Sequence, residues 1–589
     1  MPAVVTLALA LGARRMARAH AIPRRLQSVE TLGSVTVIAS DKTGTLTEGR
    51  MAVQEAVTAA GHRYAVHGTG YTPEGSLTRD GVSVSPAGDL VELARAGLLC
   101  NDAALSSPDP EHEGWTAVGD PLEAALVAFA ARCGLDPERE RAAWPRVAEH
   151  PFDQARRRMT TVHATPDGRH LLVCKGAPES VLSASVVTAG GVELQPVADA
   201  LASQGLRVLA VAAAVADRQP DPRRPTGLRP LGLVAVGDPV RAGARDSANA
   251  FARAGVRLVL VTGDHPATAG AIGRQLGLLG PGDPVVCGDT GPVGAQTATN
   301  PNVYARTQPE QKLDIIAALQ KRGEVVAMTG DGVNDAPALR RADIGVAMGS
   351  GTEVARQAAD LVLVDDNLAT MTQAIEEGRR IYDNVRRFLR YGLAGGLAEI
   401  LVMLVGPFLG LAVPLLPAQI LWVNLLTHGL PGVALGAEPA EPGVLERPPR
   451  SPRESVLGRG LARAVVTGAV AIAVAVLGAG LVAFHSGRPW QSMVFVVLGL
   501  AQLGVALAVR ARRTPGGPAN PGLVVAVAVS ALLQIAGVLV PGLRGLLGTE
   551  TLSALDLLLC AGFAIMPGVV VHLAGSAAVR SLTVHAEAR

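Results

Sequence analysis

Asp41 opens the run Asp41-Lys42-Thr43-Gly44-Thr45-Leu46-Thr47, directly after the apolar, β-branched stretch Val35 to Ser40. Such a stretch reads as a buried strand. A carboxylate at the C-terminal edge of a parallel strand, followed by a glycine turn, sits where α/β sheets place ligands. Threonine and glycine supply hydroxyls and close backbone amides for a phosphate. An aspartate there can act as a nucleophile and form an acyl phosphate. Three later segments complement it. Val256 to Val261 ends in Thr262-Gly263-Asp264, and the Thr262 hydroxyl can hydrogen-bond a phosphoryl oxygen. Lys312, in Arg306-Thr307-Gln308-Pro309-Glu310-Gln311-Lys312 ahead of a helical pattern, can neutralise it. Val325 to Met328 ends in Thr329-Gly330-Asp331-Gly332-Val333-Asn334-Asp335, where Asp331 and Asp335 are hard oxygen ligands suited to Mg²⁺. Phosphoryl transfer needs little beyond this positioning and charge neutralisation. A T-G-D after a strand is by itself commonly a turn with a helix cap, and a lone lysine is usually a surface residue. D-K-T-G-T-L-T is specific, and the four pieces follow in a consistent order.

The elements that must hold these residues divide the chain. Residues 28–380 read as soluble protein, whereas residues 391–574 contain uncharged runs too long for a globular core. The chain has 589 residues, 49% hydrophobic and 18% charged, with a formal net charge of +2. This excludes a purely soluble enzyme, a disulfide scaffold and a disordered chain, and no global basic field suggests nucleic acid. The five cysteines (Cys100, Cys133, Cys174, Cys287, Cys560) are scattered without a C-x-x-C, so neither a zinc site nor a disulfide framework is indicated. Lysine occurs only at Lys42, Lys175, Lys312 and Lys321, against 53 Lys plus Arg in all. Where Lys is kept among so many Arg, a compact ammonium is indicated.

A bilayer core needs about 20 apolar residues per helix. Six stretches qualify: 391–411 with Glu399 inside, 413–437 with His428, then 464–484, 489–509 and 521–543 without Asp, Glu or Lys, and 551–574 with Asp556. Arg379, Arg380, Arg386, Arg387 and Arg390 precede the first span. Arg447, Arg450, Arg453, Arg459 and Arg463 lie between the second and third, and Arg510, Arg512 and Arg513 between the fourth and fifth. Arg580 and Arg589 follow the last, and the opposite loops hold only Arg488 and Arg544. Basic loops alternate, so the soluble region and the C-terminus are expected to be cytoplasmic, as in a multi-pass protein of the cell membrane. Residues 1–12 are apolar but too short to span, and lack the basic region and cleavage pattern of a signal peptide.

With these motifs in hand, the chain resembles a P-type cation-transporting ATPase of the calcium-pump-like branch. Met328-Thr329-Gly330-Asp331-Gly332-Val333-Asn334-Asp335-Ala336-Pro337-Ala338-Leu339 is similar to the family's hinge motif, and Lys175-Gly176-Ala177-Pro178-Glu179 to its nucleotide-site motif. The resemblance implies a haloacid-dehalogenase-like α/β phosphorylation domain, an inserted α+β nucleotide-binding domain and an all-α polytopic membrane domain. It implies ATP and Mg²⁺ as cofactors and Asp41 as the phosphorylated residue. Lys42, Thr262, Gly263, Asp264, Lys312, Asn334 and Asp335 would complete the catalytic site, with Asp41, Thr43 and Asp331 around Mg²⁺. Thr43 stands where related soluble phosphatases carry an acid/base aspartate; a hydroxyl cannot serve as that base, so the acyl phosphate is expected to persist. Asp238, in Gly237-Asp238-Pro239-Val240-Arg241, matches the family's D-P-P-R with Val240 for the second proline, and by that resemblance belongs with the nucleotide-binding residues. Phe152 would stack on adenine, Lys175 line that pocket, Glu123 face the adenine edge, and Arg207 and Arg306 lie toward the nucleotide; Gln154 stands where calcium pumps often carry Arg.

An acid inside a membrane span is a functional-site hypothesis by default, so Glu399 leads the ion path. By resemblance it matches a transport ligand, as do Asn424 and Thr427 in Trp422-Val423-Asn424-Leu425-Leu426-Thr427-His428. Asn424 and His428 fall four apart, on one helical face. Departures are clear: Gly396 stands where calcium pumps have Asn, and His428 where they have Asp. Gln502 is the notable polar group of its span, with no acid near it in sequence; Asp556 reads as a packing or interface residue, with a further ligand as the alternative. Ca²⁺ takes six to eight oxygens, usually with more than one carboxylate. One Glu with an imidazole suits a proton-coupled or softer divalent cation better.

The expected domains are a helix remnant and stalk (1–27), a phosphorylation domain (28–49 and 228–372) interrupted by a nucleotide domain (50–227), six membrane helices (373–577) and a tail (578–589). The family's chain also carries N-terminal membrane helices and an actuator domain with a T-G-E loop; Gly351-Thr352-Glu353 and Gly548-Thr549-Glu550 lie in the wrong contexts for it. The expectation is a truncated or partial ATP-driven cation pump that meets a transported cation and membrane lipid. The alternatives are a half-pump with a separately encoded N-terminal partner, or a non-transporting membrane protein that binds ATP and autophosphorylates.

Overall fold

Val37–Ser40, Val326–Gly330 and Ile344–Met348 are buried along their whole length, the signature of parallel strands covered on both faces. They lie at the centre of an eight-stranded sheet in the computed structural model, which describes residues 2–108, 114–188, 191–288, 300–451, 454, 458, 460–512 and 519–587. Helix α1 (Pro2–Arg18) leads into β1 (Ala21–Pro23), followed by β2 (Val37–Ser40), β3 (Arg257–Val261), β4 (Val286–Cys287) and β5 (Val303–Ala305). Helix α2 (Pro309–Lys321) then precedes β6 (Val326–Gly330), β7 (Ile344–Met348) and β8 (Leu361–Leu363). The spatial order is β1-β8-β7-β6-β2-β3-β5-β4, with only β1 antiparallel to its neighbour. The chain leaves β2 toward β3 on one side and returns to β6 on the other, so β2 ends at the topological switch point where such sheets bind ligands.

The insertion builds a nine-stranded antiparallel sheet. Its order is Val82–Val84, Ser76–Arg79, Arg63–His67, Ala52–Thr58, Arg229–Gly237, Arg207–Ala216, His170–Gly176, Arg158–Ala164 and Arg146–Asp153. Leu90, Leu93, Leu126 and Phe129, from two helices on one face, pack on Val53, Val211 and Val234. Leu194 and Leu201, from the helix Gly191–Ser203, pack on the other face against Val57, Val162 and Leu233. The inserted domain runs past residue 228, where the return to the phosphorylation domain was expected. Arg229–Gly237 pairs with Ala52–Thr58 and Arg207–Ala216, because its backbone groups complete the gap between those two strands.

Helix α3 (Leu368–Val405) starts just beyond β8, capped by the Asn367 side chain, which accepts from Ala369 N at 2.9 Å. It runs 38 residues without a break, about 57 Å at 1.5 Å per residue, so the expected boundary at 372/373 falls inside a helix. The stalk segment 1–27 is not a mere appendage: Arg15 of α1 pairs with Glu377 of α3, and β1 extends the phosphorylation sheet. Beyond α3 come α4 (Pro417–His428), α5 (Leu430–Leu435), α6 (Leu461–His485), α7 (Trp490–Ala508), α8 (Pro521–Leu539) and α9 (Ala554–Glu587). Among the described residues, five helices are long and apolar enough to cross a membrane, not six. The stretch 413–437 is two short helices broken at Gly429 (φ −73°, ψ −98°), where Pro431 enters the next turn without an N–H to continue the ladder. Arg453, Arg459, Arg513 and Arg589 lie outside the described residues.

Candidate active site and membrane site

Parallel pairing sets the site. Ser40 is in register with Leu260 on one side and Thr329 on the other, so Asp41, Thr262 and Asp331 emerge at one edge of the sheet. The Thr329 hydroxyl donates to Ser40 Oγ at 2.7 Å, a tie between the two strands that the motifs did not announce. After Asp41 the chain turns through Gly44 at φ +68°. A Cβ there would lie 1.8 Å from Asp331 Oδ2, so both the turn and the approach of Asp331 demand glycine.

Lys312 projects from the first turn of α2 and is only 7% exposed. Its Nζ donates to Asp41 Oδ1 and to Asp335 Oδ1, each at 2.8 Å. Burial opposes its charge, yet Asp41 and Asp335 together hold the ammonium above its usual range. Burial pushes the Asp41 carboxyl up, with Lys312 pulling the other way. Burial, then the charges of Asp41 and Asp335, raise Asp331 to about 6. Oxygens of Asp41, Asp331 and Asp335 all lie within 4.8 Å of one another. Three crowded carboxylates facing one lysine form a donor set of hard oxygens short of positive charge, which fits Mg²⁺.

Several expected residues take other stations. Lys42 pairs with Asp264 at 2.6 Å, so these two fix each other at the sheet edge. Thr262 is buried and accepts from Asp264 N at 3.1 Å, while Gly263, Thr43 and Asn334 are exposed at the mouth. Asp238, expected at the nucleotide, instead clamps the turn that follows Asp41. It accepts from the Thr47 hydroxyl at 2.6 Å and from the Gly49 and Arg50 amides at 2.8 and 3.3 Å. The reason is position: it directly follows the strand that leaves the insertion, where the two crossings between domains meet. Arg241 donates to Gly44 O at 2.7 Å. Thr352, set aside with its T-G-E-like context, donates through N and Oγ1 to Asp331 O at 2.8 and 3.2 Å. Its signal was the helix-capping pattern ahead of Glu353–Ala358.

In the inserted domain, Lys175 Nζ donates to Glu123 Oε1 at 2.7 Å, and Glu123 Oε2 accepts from Asp102 N at 2.9 Å. The Glu123 carboxylate, expected to face adenine, is thus engaged by Lys175 and the main chain, because Asp120 caps its helix and orients the first turn inward. Phe152 is 62% exposed on the edge strand, and Arg207 is exposed at the start of its own strand. Arg306 belongs elsewhere: its amide donates to Asp264 O at 2.9 Å, at the phosphorylation sheet.

Within the helical part, Glu399 of α3 is 7% exposed. Asn424 Nδ2 of α4 donates to its Oε2 at 3.1 Å, and Gln502 Nε2 of α7 to its Oε1 at 3.0 Å. Gln502 was legible only as a lone polar residue in an apolar span. Gly395 leaves room for it: a Cβ there would meet Gln502 Oε1 at 2.9 Å. Asn424 and His428 do share a face toward α3, but His428 Nε2 meets Gly392 O at 3.3 Å rather than Glu399. Thr427 Oγ1 donates back to Val423 O at 2.8 Å, and Tyr391 OH donates to Thr427 O at 2.9 Å. Asp556 pairs with Arg488 at 2.5 Å and accepts from Ser553.

Family models match three parts of the chain: "P-type ATPase, cytoplasmic domain N" over residues 89–243, "haloacid dehalogenase-like hydrolase" over 311–375, and "Cation transporting ATPase, C-terminus" over 412–575. The chain is 39% identical to a calcium-transporting ATPase of Bacillus subtilis over 98% of its own length and 68% of that relative. It is 44% identical to a probable cation-transporting ATPase F of Mycobacterium bovis, over 79% of itself and 54% of the relative. It is 37% identical to a calcium-transporting ATPase of Listeria monocytogenes, over 81% of itself and 54% of the relative. The chain thus spans about two thirds of the first relative and about half of the other two.

Proposed function

The chain belongs to the calcium-pump-like branch of the P-type ATPases, and from that premise we propose that it couples phosphorylation of Asp41 by ATP to movement of a cation past Glu399. The observation that carries the reading is the Lys312 ammonium shared between Asp41 and Asp335 at 2.8 Å, with Asp331 completing the carboxylate cluster. A carboxylate oxygen of Asp41 attacks the γ-phosphorus of ATP. The bond to the β,γ-bridging oxygen breaks, ADP departs with that electron pair, and an aspartyl phosphate remains. Lys312 neutralises the incoming phosphoryl oxygens, and the Thr262 hydroxyl would donate to one. Asp41 and Asp331, with Thr43, would hold Mg²⁺, which supplies charge neutralisation at the phosphates. Exposed Thr43 offers no base to activate water, so the acyl phosphate is stored rather than released.

The nucleotide base would stack on the exposed Phe152 ring, with the paired Lys175 and Glu123 and the exposed Arg207 as its other contacts in the inserted domain; Arg306 lies on the phosphorylation side. The cation site comprises Glu399 and Asn424, now with Gln502, while Thr427 and His428 line the next turn. Helix α3 links the halves, since it begins beside β8 and carries Glu399 31 residues later, about 47 Å along its axis. The catalytic side is cytoplasmic, in a cell membrane. Incubation with radiolabelled ATP and Mg²⁺ tests the chemistry: an acid-stable, hydroxylamine-labile label is expected in the wild type and none in Asp41→Asn. Label that survives Asp41→Asn overturns it.

A further inference from the structure

The Glu399 cluster draws on three helices: α3 carries Glu399, α4 carries Asn424 and α7 carries Gln502. Beside the cluster, Tyr391 and His428 tie α3 to α4. At the cytoplasmic end of the bundle, however, the same three elements converge on Glu438, which is 0% exposed. Glu438 lies three residues past α5, the continuation of α4. Its main-chain carbonyl accepts from two side chains of α3, Arg380 Nε at 2.7 Å and Asn384 Nδ2 at 2.9 Å. Its carboxylate turns the other way. Oε2 accepts from Ala511 N at 2.8 Å, three residues past α7, and Oε1 accepts from Asn520 Nδ2 at 2.9 Å. Asn520 caps α8 through Oδ1, which accepts from Leu523 N at 3.2 Å, and it also donates to Ala434 O of α5 at 2.8 Å. The nearest cationic group, Arg510 Nε, lies 3.7 Å from Oε1.

A fully buried carboxylate is costly unless its oxygens are matched. Here both are matched, each by a donor from the stretch that joins α7 to α8, while the same residue's backbone holds α3. We propose that Glu438 is a positioning residue: a buried clasp that sets α3, α4–α5 and α7 in the register that brings Asn424 and Gln502 onto Glu399. The inference rests on the reading of Glu399 as the cation ligand. The clasp requires a carboxylate, not merely a polar group. A glutamine at 438 offers one acceptor and one donor to two donors. The Ala511 amide cannot reverse, and Asn520 cannot turn its oxygen inward without leaving Leu523 N.

Dicyclohexylcarbodiimide, which modifies protonated carboxyls in apolar surroundings, tests this on the full chain in detergent, with labelling of the Glu399 peptide followed by mass spectrometry. Loss of one charge-assisted bond at the clasp should raise the Glu399 labelling rate about tenfold in Glu438→Gln. Phosphorylation of Asp41 and its hydroxylamine lability should persist. Glu438→Asp, which keeps a carboxylate with two acceptors, should label at a rate between those of the wild type and Glu438→Gln. An unchanged rate in Glu438→Gln, or labelling of Glu438→Asp as fast as that of Glu438→Gln, overturns the proposal. If Glu438→Gln fails to fold, Asn520→Ala decides: faster labelling supports the clasp and an unchanged rate refutes it. A wild type that takes no phosphate at Asp41 removes the transport reading, while the labelling comparison still decides the clasp.

Discussion

Asp331→Asn should stabilise the metal-free protein while abolishing its chemistry. Burial and the charges of Asp41 and Asp335 raise the Asp331 carboxyl from 3.8 to about 6. A shift of about two units corresponds to roughly 3 kcal/mol at about 1.4 kcal/mol per unit. Asp331 is half-buried, and solvent screening brings the expected effect to about 1–2 kcal/mol. The sign follows from linkage. A carboxyl whose folded pKa is raised contributes stability below its unfolded value near 4, and that contribution is lost as pH rises through about 6. The amide carries no charge and keeps it. In chelator at about pH 7.5, the variant's phosphorylation domain should therefore melt about 2–8 °C above the wild type, at about 2–4 °C per kcal/mol. The gap should close toward about pH 4, where the wild-type carboxyl is protonated. Mg²⁺ should raise the melting temperature of the wild type, since a ligand that binds only the folded state stabilises it, and leave the variant nearly unmoved. Differential scanning fluorimetry across pH, with and without Mg²⁺, reads all three. A variant no more stable than the wild type at neutral pH, or equal Mg²⁺ stabilisation of both, refutes the carboxylate-cluster account.

Phe152→Ala should weaken binding of a fluorescent ATP analogue about tenfold, as expected for loss of one base-stacking contact. The melting temperature should hardly change, because the ring is 62% exposed and supports no core; equal affinity would remove the ring from the nucleotide site. Gly44→Ala places a methyl 1.8 Å from Asp331 Oδ2 at φ +68°. It should cost more than about 2 kcal/mol and eliminate the phosphoenzyme; a labelled, wild-type-like variant would show that the loop has another way to sit.

The sequence displayed the chemistry where it lies in contiguous motifs. The runs after Ser40, Val261 and Met328 each end a parallel strand, so reading them as strand-end loops was enough to bring Asp41, Thr262 and Asp331 together. Lys312 was legible because a helical pattern follows it and lysine is rare here. What escaped depends on partners distant in sequence. Lys42 is committed to Asp264, and Asp238 to Thr47 and Gly49, pairings that no local spacing encodes. Arg229–Gly237 reads as a buried strand in either sheet, and only the open edges of Ala52–Thr58 and Arg207–Ala216 decide where it pairs. Hydropathy alone joined 413–437 into one span, because an average over apolar residues does not register the backbone break at Gly429. Gln502 was visible as an oddity but not as a partner of Glu399, since the helix rotation that joins them is set by packing.

Central to the account is the link between Asp41 and Glu399. It is tested most directly by screening divalent and monovalent cations for their effect on phosphoenzyme formation from ATP, in the wild type and in Glu399→Gln. The account predicts that at least one cation changes the phosphoenzyme level of the wild type and that this dependence disappears in Glu399→Gln, with ATP binding intact. Phosphoenzyme that is indifferent to every cation, or that responds identically in both proteins, would contradict it.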